Sequence, residues 1–327
     1  MRIDHIGSTA VPGLETASSR EAEIMDSLVV ADVLDALGLL GPRVTVLKDA
    51  GPGNASWLVE TGSSRRVVLR CYHDQATLTD IAYEHSLLHR LDRRGWAVPA
   101  PLSPVVEVNS RVWCLTRYVS GHPRTLETPE EGAQRGRDLA RLQVAMRELT
   151  EELGQRPGWR PQHTAPTVHE DIDWNACVSA LATVDADLAT WARAAQVAVA
   201  AALGNIGAAD LPLTLIHGDF AEWNVHYDEQ GNLAGVIDFG LAHLDSRPYE
   251  LAIARTYRSP ETIDAYRREL VAHDWPLTEL EDDAIPILHR AFRVDMVAWE
   301  ASVGMRTGSY DLPMIESQLA RSGVTRP

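Results

Sequence analysis

The sequence predicts an α+β protein in two parts, a small antiparallel-sheet lobe followed by a larger, mostly helical lobe. Three observations predict it. Between residues 44 and 118, short runs rich in β-branched and aromatic residues alternate with turns built from Gly, Asn and Ser. After Gly121-His122-Pro123, apolar residues recur at helical spacing to about residue 303, with three short strand-like interruptions. Charge changes at the same place: residues 1–125 carry 13 Lys+Arg against 14 Asp+Glu, and residues 126–327 carry 17 against 32.

The elements follow in order. Residues 21–40 have a helical stripe of Met25, Leu28, Val29, Val33, Leu37 and Leu40, stopped by Gly41-Pro42. Val44–Leu47, Ser56–Glu60 and Val67–Tyr72 are predicted strands, separated by Gly51-Pro52-Gly53-Asn54 and Gly62-Ser63-Ser64. A helix marked by Leu78, Ile81, Ala82, Leu87, Leu88 and Leu91 ends at Gly95. Pro99 and Pro101 stiffen the connector to strands Val105–Val108 and Val112–Tyr118, which turn at Asn109-Ser110. Residues 129–153 read as one helix, 154–168 as a Pro-, Gln- and Thr-rich loop, and about 170–203 as another helix. Thr214–Ile216, Asn224–Tyr227 and Leu233–Ile237 are the strand-like pieces of the second part. The implied division is a leader or fusion remnant at 1–20, a first lobe at 21–118 and a second at 119–327.

Composition excludes several classes. At 327 residues with 45% hydrophobic and 23% charged residues, the chain can bury a core and is not globally disordered. A formal charge of −16 argues against nucleic acid or an anionic membrane as partner. No apolar run reaches the roughly 18 residues of a membrane span, and the N-terminus lacks a basic-then-apolar signal pattern, so a cytoplasmic location is expected. Cys71, Cys114 and Cys177 form no CxxC pair and read as reduced structural thiols. Lys48 is the only lysine and no GK[ST] occurs, which excludes a Walker A loop.

The chemistry concentrates in His217-Gly218-Asp219-Phe220-Ala221-Glu222-Trp223-Asn224 and in Ile237-Asp238-Phe239-Gly240. Phosphoryl transfer from ATP needs a carboxylate to orient and deprotonate the acceptor hydroxyl, and oxygen ligands to hold Mg²⁺ on the phosphates. Asp219 can be the base, while Asn224 and Asp238 can be the metal ligands. A turn at Asp228–Asn232 would bring residue 238 back beside residue 224. The two motifs at this spacing resemble the catalytic and metal-binding segments of the aminoglycoside phosphotransferase family, which is itself similar to the choline, homoserine and macrolide kinases. The resemblance spans about residues 40–300. It implies a two-lobed protein-kinase-like fold with ATP and Mg²⁺ as cofactors, HGD standing for HRD and IDF for DFG.

That resemblance orders the first lobe. Gly51, Gly53 and Asn54 lie where the family's loop covers the nucleotide, although GxGxxG is incomplete. Arg70, in Val67-Val68-Leu69-Arg70, takes the position of the kinase lysine, with Glu84 on the next helix as its ion-pair partner. Thr116, Arg117, Tyr118 and Val119 resemble the hinge whose backbone meets adenine, which would sit between the lobes. Lys48 reads as a solvated strand residue. Gln143 replaces the His usual in the family's LAxLH helix, and Glu250 replaces Asp in the segment after IDF, where it would support the catalytic loop. His217 reads as structural, and Glu222 and Trp223 as near the acceptor. His226 and His243 fit no metal motif.

The implied reaction is phosphorylation of a small-molecule hydroxyl. The acidity of the second lobe favours a cationic acceptor, such as an aminoglycoside or other antibiotic, an amino alcohol or an amino acid. Asp282, Asp283, Asp295 and Glu300 lie in the helical region where relatives bind the acceptor. Glu170, Asp171 and Asp173 read as helix capping. The alternatives are a protein Ser/Thr kinase of the same superfold, against which no APE-like segment counts, and a nucleotide-binding module without transfer. Separately, Arg2-Ile3-Asp4-His5-Ile6-Gly7-Ser8-Thr9-Ala10-Val11-Pro12-Gly13-Leu14 resembles a signature of a small nucleotidyltransferase-like family. The rest of that family's pattern does not follow, so the stretch reads as a fusion remnant, an overlapping-gene relic or an early start.

Overall fold

The computed structural model describes residues 29–39, 43–47, 55–61, 65–72, 76–124, 128–253 and 260–327. It divides into two compact units. The first comprises the described residues up to Ser120 together with Ala234–Ile237, and the second comprises the rest.

The first unit is a five-stranded antiparallel sheet in the order β1-β2-β3-β5-β4. Its strands are β1 (Arg43–Leu47), β2 (Ala55–Glu60), β3 (Arg66–Cys71), β4 (Val106–Val108) and β5 (Arg111–Arg117). Side chains alternate across a pleated strand. Trp57 and Val59, then Val67, Leu69 and Cys71, then Trp113 and Leu115 therefore bury one face against Val30, Val33 and Leu34 of helix α1 (residues 29–36). Trp57 and Trp113 meet with ring centroids 5.3 Å apart. Alternation sends Arg70 to the other face, together with its cross-strand partner Cys114. Helix α2 (Leu78–Arg93) carries Glu84 to Arg70. Its start is set by a reciprocal capping box between Thr77 and Asp80. The Val236 amide donates to the Ala97 carbonyl over 3.0 Å, which ties the returning segment into this unit.

The second unit is mostly helical. Helix α3 (Pro129–Arg147) stops at Arg147, and the short α4 (Thr150–Leu153) follows, so the helix expected over 129–153 is broken. The helix expected over 170–203 is also two, α5 (Trp174–Val184) and α6 (Ala186–Asn205). Asp185 breaks it by taking extended backbone and spending its carboxylate on the Leu188 amide as the cap of α6. Asp173 caps α5 through the Asn175 and Ala176 amides. Helices α7 (Arg247–Ile253), α8 (Pro260–Ala272), α9 (Glu279–Thr307) and α10 (Leu312–Arg321) complete the unit. The last of these lies beyond the expected helical limit near 303.

One core joins α5, α6, α9 and α10 through Leu181, Leu188, Trp191, Leu288, Val294, Ile315 and Leu319. Helices α3 and α8 approach so closely that a Cβ on Gly136 would lie 2.1 Å from the Thr262 carbonyl oxygen. Arg247 and Glu281, both buried, form a two-pronged ion pair, and the guanidinium lies 4.0 Å from the Trp275 ring centroid. The strands here are short. They are β6 (His122–Pro123), β7 (Thr214–Ile216), β8 (Val225–Tyr227) and β10 (His243–Asp245), while β9 (Leu233–Val236) carries residues 234–236 of the first unit. Strands β6 and β10 go unseen in the sequence because two or three residues carry no usable alternation. Cys71, Cys114 and Cys177 are buried free thiols. No helix among the described residues is long and apolar enough to cross a membrane.

Candidate active site

Strand β7 delivers His217, Gly218 and Asp219 to a loop that re-enters the structure at β8. Backbone bonds tighten this loop: the Ala221 amide donates to the Asp219 carbonyl over 2.8 Å, and the Asn224 amide to the Ala221 carbonyl over 3.0 Å. Phe220 is fully buried and anchors the middle. Asn224 is buried, and its Nδ2 donates both to the Asp219 carbonyl, over 2.9 Å, and to Asp219 Oδ2, over 2.8 Å. With both of those bonds made by nitrogen, the amide oxygen is the atom left to serve as a metal ligand.

The second motif packs on the first. Asp238 lies two residues beyond β9 with φ 62°, a left-handed conformation that Asp tolerates better than most residues. A short 3-10 turn, Phe239–Leu241, follows it. The Phe239 ring lies 4.4 Å from that of His217. Gly218 has φ 83°, and a Cβ there would fall 2.1 Å from the Leu241 carbonyl oxygen. His217 is fully buried, and its Nδ1 accepts the Asp219 amide over 3.1 Å, which is a structural use of the ring.

Glu250 supports the loop from beneath. Its carboxylate accepts the amides of His217, over 2.5 Å, and Gly218, over 3.3 Å. Full burial pushes its carboxyl up to about 8, and the Asp219 charge adds to that, while the bonds from the loop amides pull the other way. Glu250 therefore holds the backbone on which Asp219 rides.

The remaining residues around the motifs have structural partners. Glu222 is half-buried, 3.8 Å from Arg135. Trp223 is the exposed side chain of the loop, at 44%. His243 is buried, facing the Leu241 carbonyl and Asp245. Gln143 accepts a bond from the Tyr266 hydroxyl. Of the acidic residues near the expected acceptor region, Asp282 pairs with Arg267 and Asp295 is buried beneath Tyr249. Burial also raises Glu300, helped by Asp311.

In the first unit, Arg70 Nη1 donates to Glu84 Oε1 over 2.7 Å, with both side chains almost fully buried. The guanidinium lies 4.9 Å from the Tyr72 ring centroid, and the Tyr72 hydroxyl meets His85 Nε2 at 2.7 Å. Burial and the Arg70 charge hold His85 down to about 4, so it is neutral at pH 7. In the segment expected to be the hinge, the Thr116 hydroxyl donates to the Val68 carbonyl of the neighbouring strand and the Arg117 amide to the Ala100 carbonyl of the connector. The Arg117 guanidinium pairs with Asp92. Tyr118 and Val119 follow the strand. Gly51, Gly53, Asn54, Lys48 and the leader at 1–20 lie outside the described residues.

Sequence reasoning passed over Arg156. It sits in the aperiodic 154–168 stretch, where no spacing marks it, yet its guanidinium reaches the segment after Asp238.

Comparison with known proteins places the chain in a family. The profile of the phosphotransferase enzyme family (APH) matches residues 47–280. A homoserine kinase of Caulobacter sp. (strain K31) is 27% identical over 256 residues, covering 73% of this chain and 75% of the relative. Among solved structures, a microcompartment-associated aminopropanol kinase superposes with a TM-score of 0.58 at 19% identity, covering 90% of this chain and 94% of the other. Amicoumacin kinase hAmiN, solved with AMP-PNP, Ca²⁺ and Ami, superposes with a TM-score of 0.63 at 14% identity, covering 94% of each chain. The fold is that of the protein-kinase-like phosphotransferases, and the chain belongs to the phosphotransferase enzyme family as a kinase-type enzyme.

Proposed function

We propose that this enzyme transfers the γ-phosphoryl group of ATP, with Mg²⁺, to a hydroxyl of a small molecule that also carries an ammonium group. The observation that carries the reading is the Asp219–Asn224 pair seated against the Asp238 turn. It combines a carboxylate for the acceptor with an amide oxygen and a second carboxylate for a hard cation. Oxygen donors of this kind suit Mg²⁺. Bound there with ATP, the ion would neutralise charge developing on the phosphates.

Asp219 receives the acceptor's hydroxyl proton as the oxygen attacks the γ-phosphorus. The bond from that phosphorus to the β,γ-bridging oxygen breaks, and its electron pair leaves on ADP. Asn224 and Asp238 hold the metal. Arg70, locked by Glu84, contacts the α- and β-phosphates as a planar fork. Tyr118 and Val119 are the hinge residues assigned to adenine, and Gly51, Gly53 and Asn54 the covering loop. Three buried free thiols support a reducing, cytoplasmic setting.

An acidic stretch from 126 to 327, with 32 Asp+Glu against 17 Lys+Arg, supports an acceptor that bears an ammonium group. So do relatives named for homoserine and aminopropanol, both of which pair a hydroxyl with an amine. The test is ATP consumption with a panel of homoserine, aminopropanol, ethanolamine, aminoglycosides and uncharged sugars, in the wild type and in Asp219→Ala. Turnover with an amino-bearing alcohol, lost in Asp219→Ala, is expected. Turnover confined to uncharged sugars, or to protein serine, would refute the reading.

A further inference from the structure

We propose that Arg156 is a positioning residue for Asp238, a buried clamp that holds the metal-ligand turn in shape. This inference rests on the assignment of Asp238 to the metal. Asp238 adopts a left-handed backbone, and the chain after it curls through a 3-10 turn. Such a turn leaves carbonyls that the turn's own amides do not all satisfy, and outside donors can fix its shape. The Phe239 carbonyl takes the Ala242 amide over 3.0 Å. The Leu241 carbonyl meets His243 Nδ1 at 2.8 Å. Arg156 Nη1 takes the other two, reaching the Gly240 carbonyl over 2.6 Å and the Ala242 carbonyl over 3.2 Å. All four carbonyls from 239 to 242 are thus engaged.

Arg156 is itself fixed. It is 4% exposed, and its guanidinium lies 4.7 Å from the Trp159 ring centroid. Trp159 stacks in turn on His169, at 4.0 Å, and His243, at 4.8 Å. The Gln162 amide adds a 2.7 Å bond to Asp245. The stretch 156–169 therefore packs along 240–245 as one braced layer. A guanidinium suits the task because Nη1 carries two N–H groups in a rigid plane and so serves two carbonyls two residues apart.

The test uses the full chain with Arg156→Met, which keeps the stem and removes the donors, and Arg156→Lys, which keeps one charged donor. Two readouts do not depend on turnover. One is Mn²⁺ affinity, followed by electron paramagnetic resonance with a non-hydrolysable ATP analogue. The other is hydrogen exchange of the amides of residues 239–243. Arg156→Met is expected to weaken Mn²⁺ binding about 10- to 100-fold and to speed exchange in that segment, with Arg156→Lys intermediate. The half-saturating Mg²⁺ for turnover should rise by the same factor while the acceptor KM stays put. Mn²⁺ affinity within twofold of wild type in both variants, even with a lowered Tm, overturns the proposal. If Arg156→Met does not fold, Arg156→Lys decides by the same limits. Asp238→Asn separates the two readings: unchanged Mn²⁺ binding there refutes the metal assignment of Asp238, whereas the exchange measurement still judges the clamp.

Discussion

The side-chain nitrogen of Asn224 donates to Asp219 Oδ2 over 2.8 Å, so the candidate base and a candidate metal ligand, five positions apart, are held as one unit. The same nitrogen also holds the Asp219 carbonyl, which closes the loop on itself. Asp219→Asn removes the proton acceptor and is expected to lower kcat by about 10²- to 10⁴-fold with little change in Tm. Asn224→Leu should lose turnover and raise the half-saturating Mg²⁺ together. Steady-state kinetics at varied Mg²⁺, beside a thermal melt, check both.

Arg70 and Glu84 form a buried pair, and breaking one side strands the other charge. Arg70→Ala is expected to cost about 3–5 kcal/mol of stability and to collapse kcat/KM for ATP. Lys48→Ala should be mild in both respects. Denaturant unfolding and nucleotide kinetics on the two variants give the comparison, and the reverse order would move the phosphate contact from Arg70 to Lys48.

Gly218 is required twice over, by φ 83° and by the Leu241 carbonyl at 2.1 Å from a would-be Cβ. Gly218→Ala is expected to destabilise by more than the roughly 1–2 kcal/mol of a left-handed residue, because backbone must also move. Since that movement separates the two motifs, kcat should fall even at temperatures where the variant is fully folded by circular dichroism.

Asp295 is fully buried, accepting the Val168 amide and the Tyr249 hydroxyl. Burial pushes its carboxyl up to about 7 from an ordinary value of 3.8. A folded value above the unfolded one means that folding takes up a proton between them. Its contribution to stability is therefore complete below about pH 4 and is lost as pH rises through 7. Asp295→Asn lacks this titration. The Tm of the variant relative to wild type should rise from pH 5 to pH 8, which melts at several pH values will show; a flat difference would refute it.

Much of this protein was legible in sequence because local rules and global fold agree. Enrichment in β-branched and aromatic residues at Val67–Tyr72 and Val112–Tyr118 named the strands, whereas the face that Arg70 occupies, opposite the apolar one, came from the structure. Helix breaks were harder. Asp185 ends one helix and caps the next, yet the apolar pattern runs across it without a Gly or Pro to mark the stop. Glu250 showed up as a substitution in a familiar segment, but its reach to the His217 and Gly218 amides did not.

By itself the sequence determined most of the order of elements and named Asp219, Asn224 and Asp238 as the candidate site. These follow from residue type and spacing within a few turns of chain. The tertiary structure alone decided what holds them. Glu250 lies 31 residues beyond Asp219, and Arg156 lies 82 before Asp238. No periodicity links such distant positions. Buried backbone amides and carbonyls must find partners somewhere, and folding decides which remote side chain supplies them.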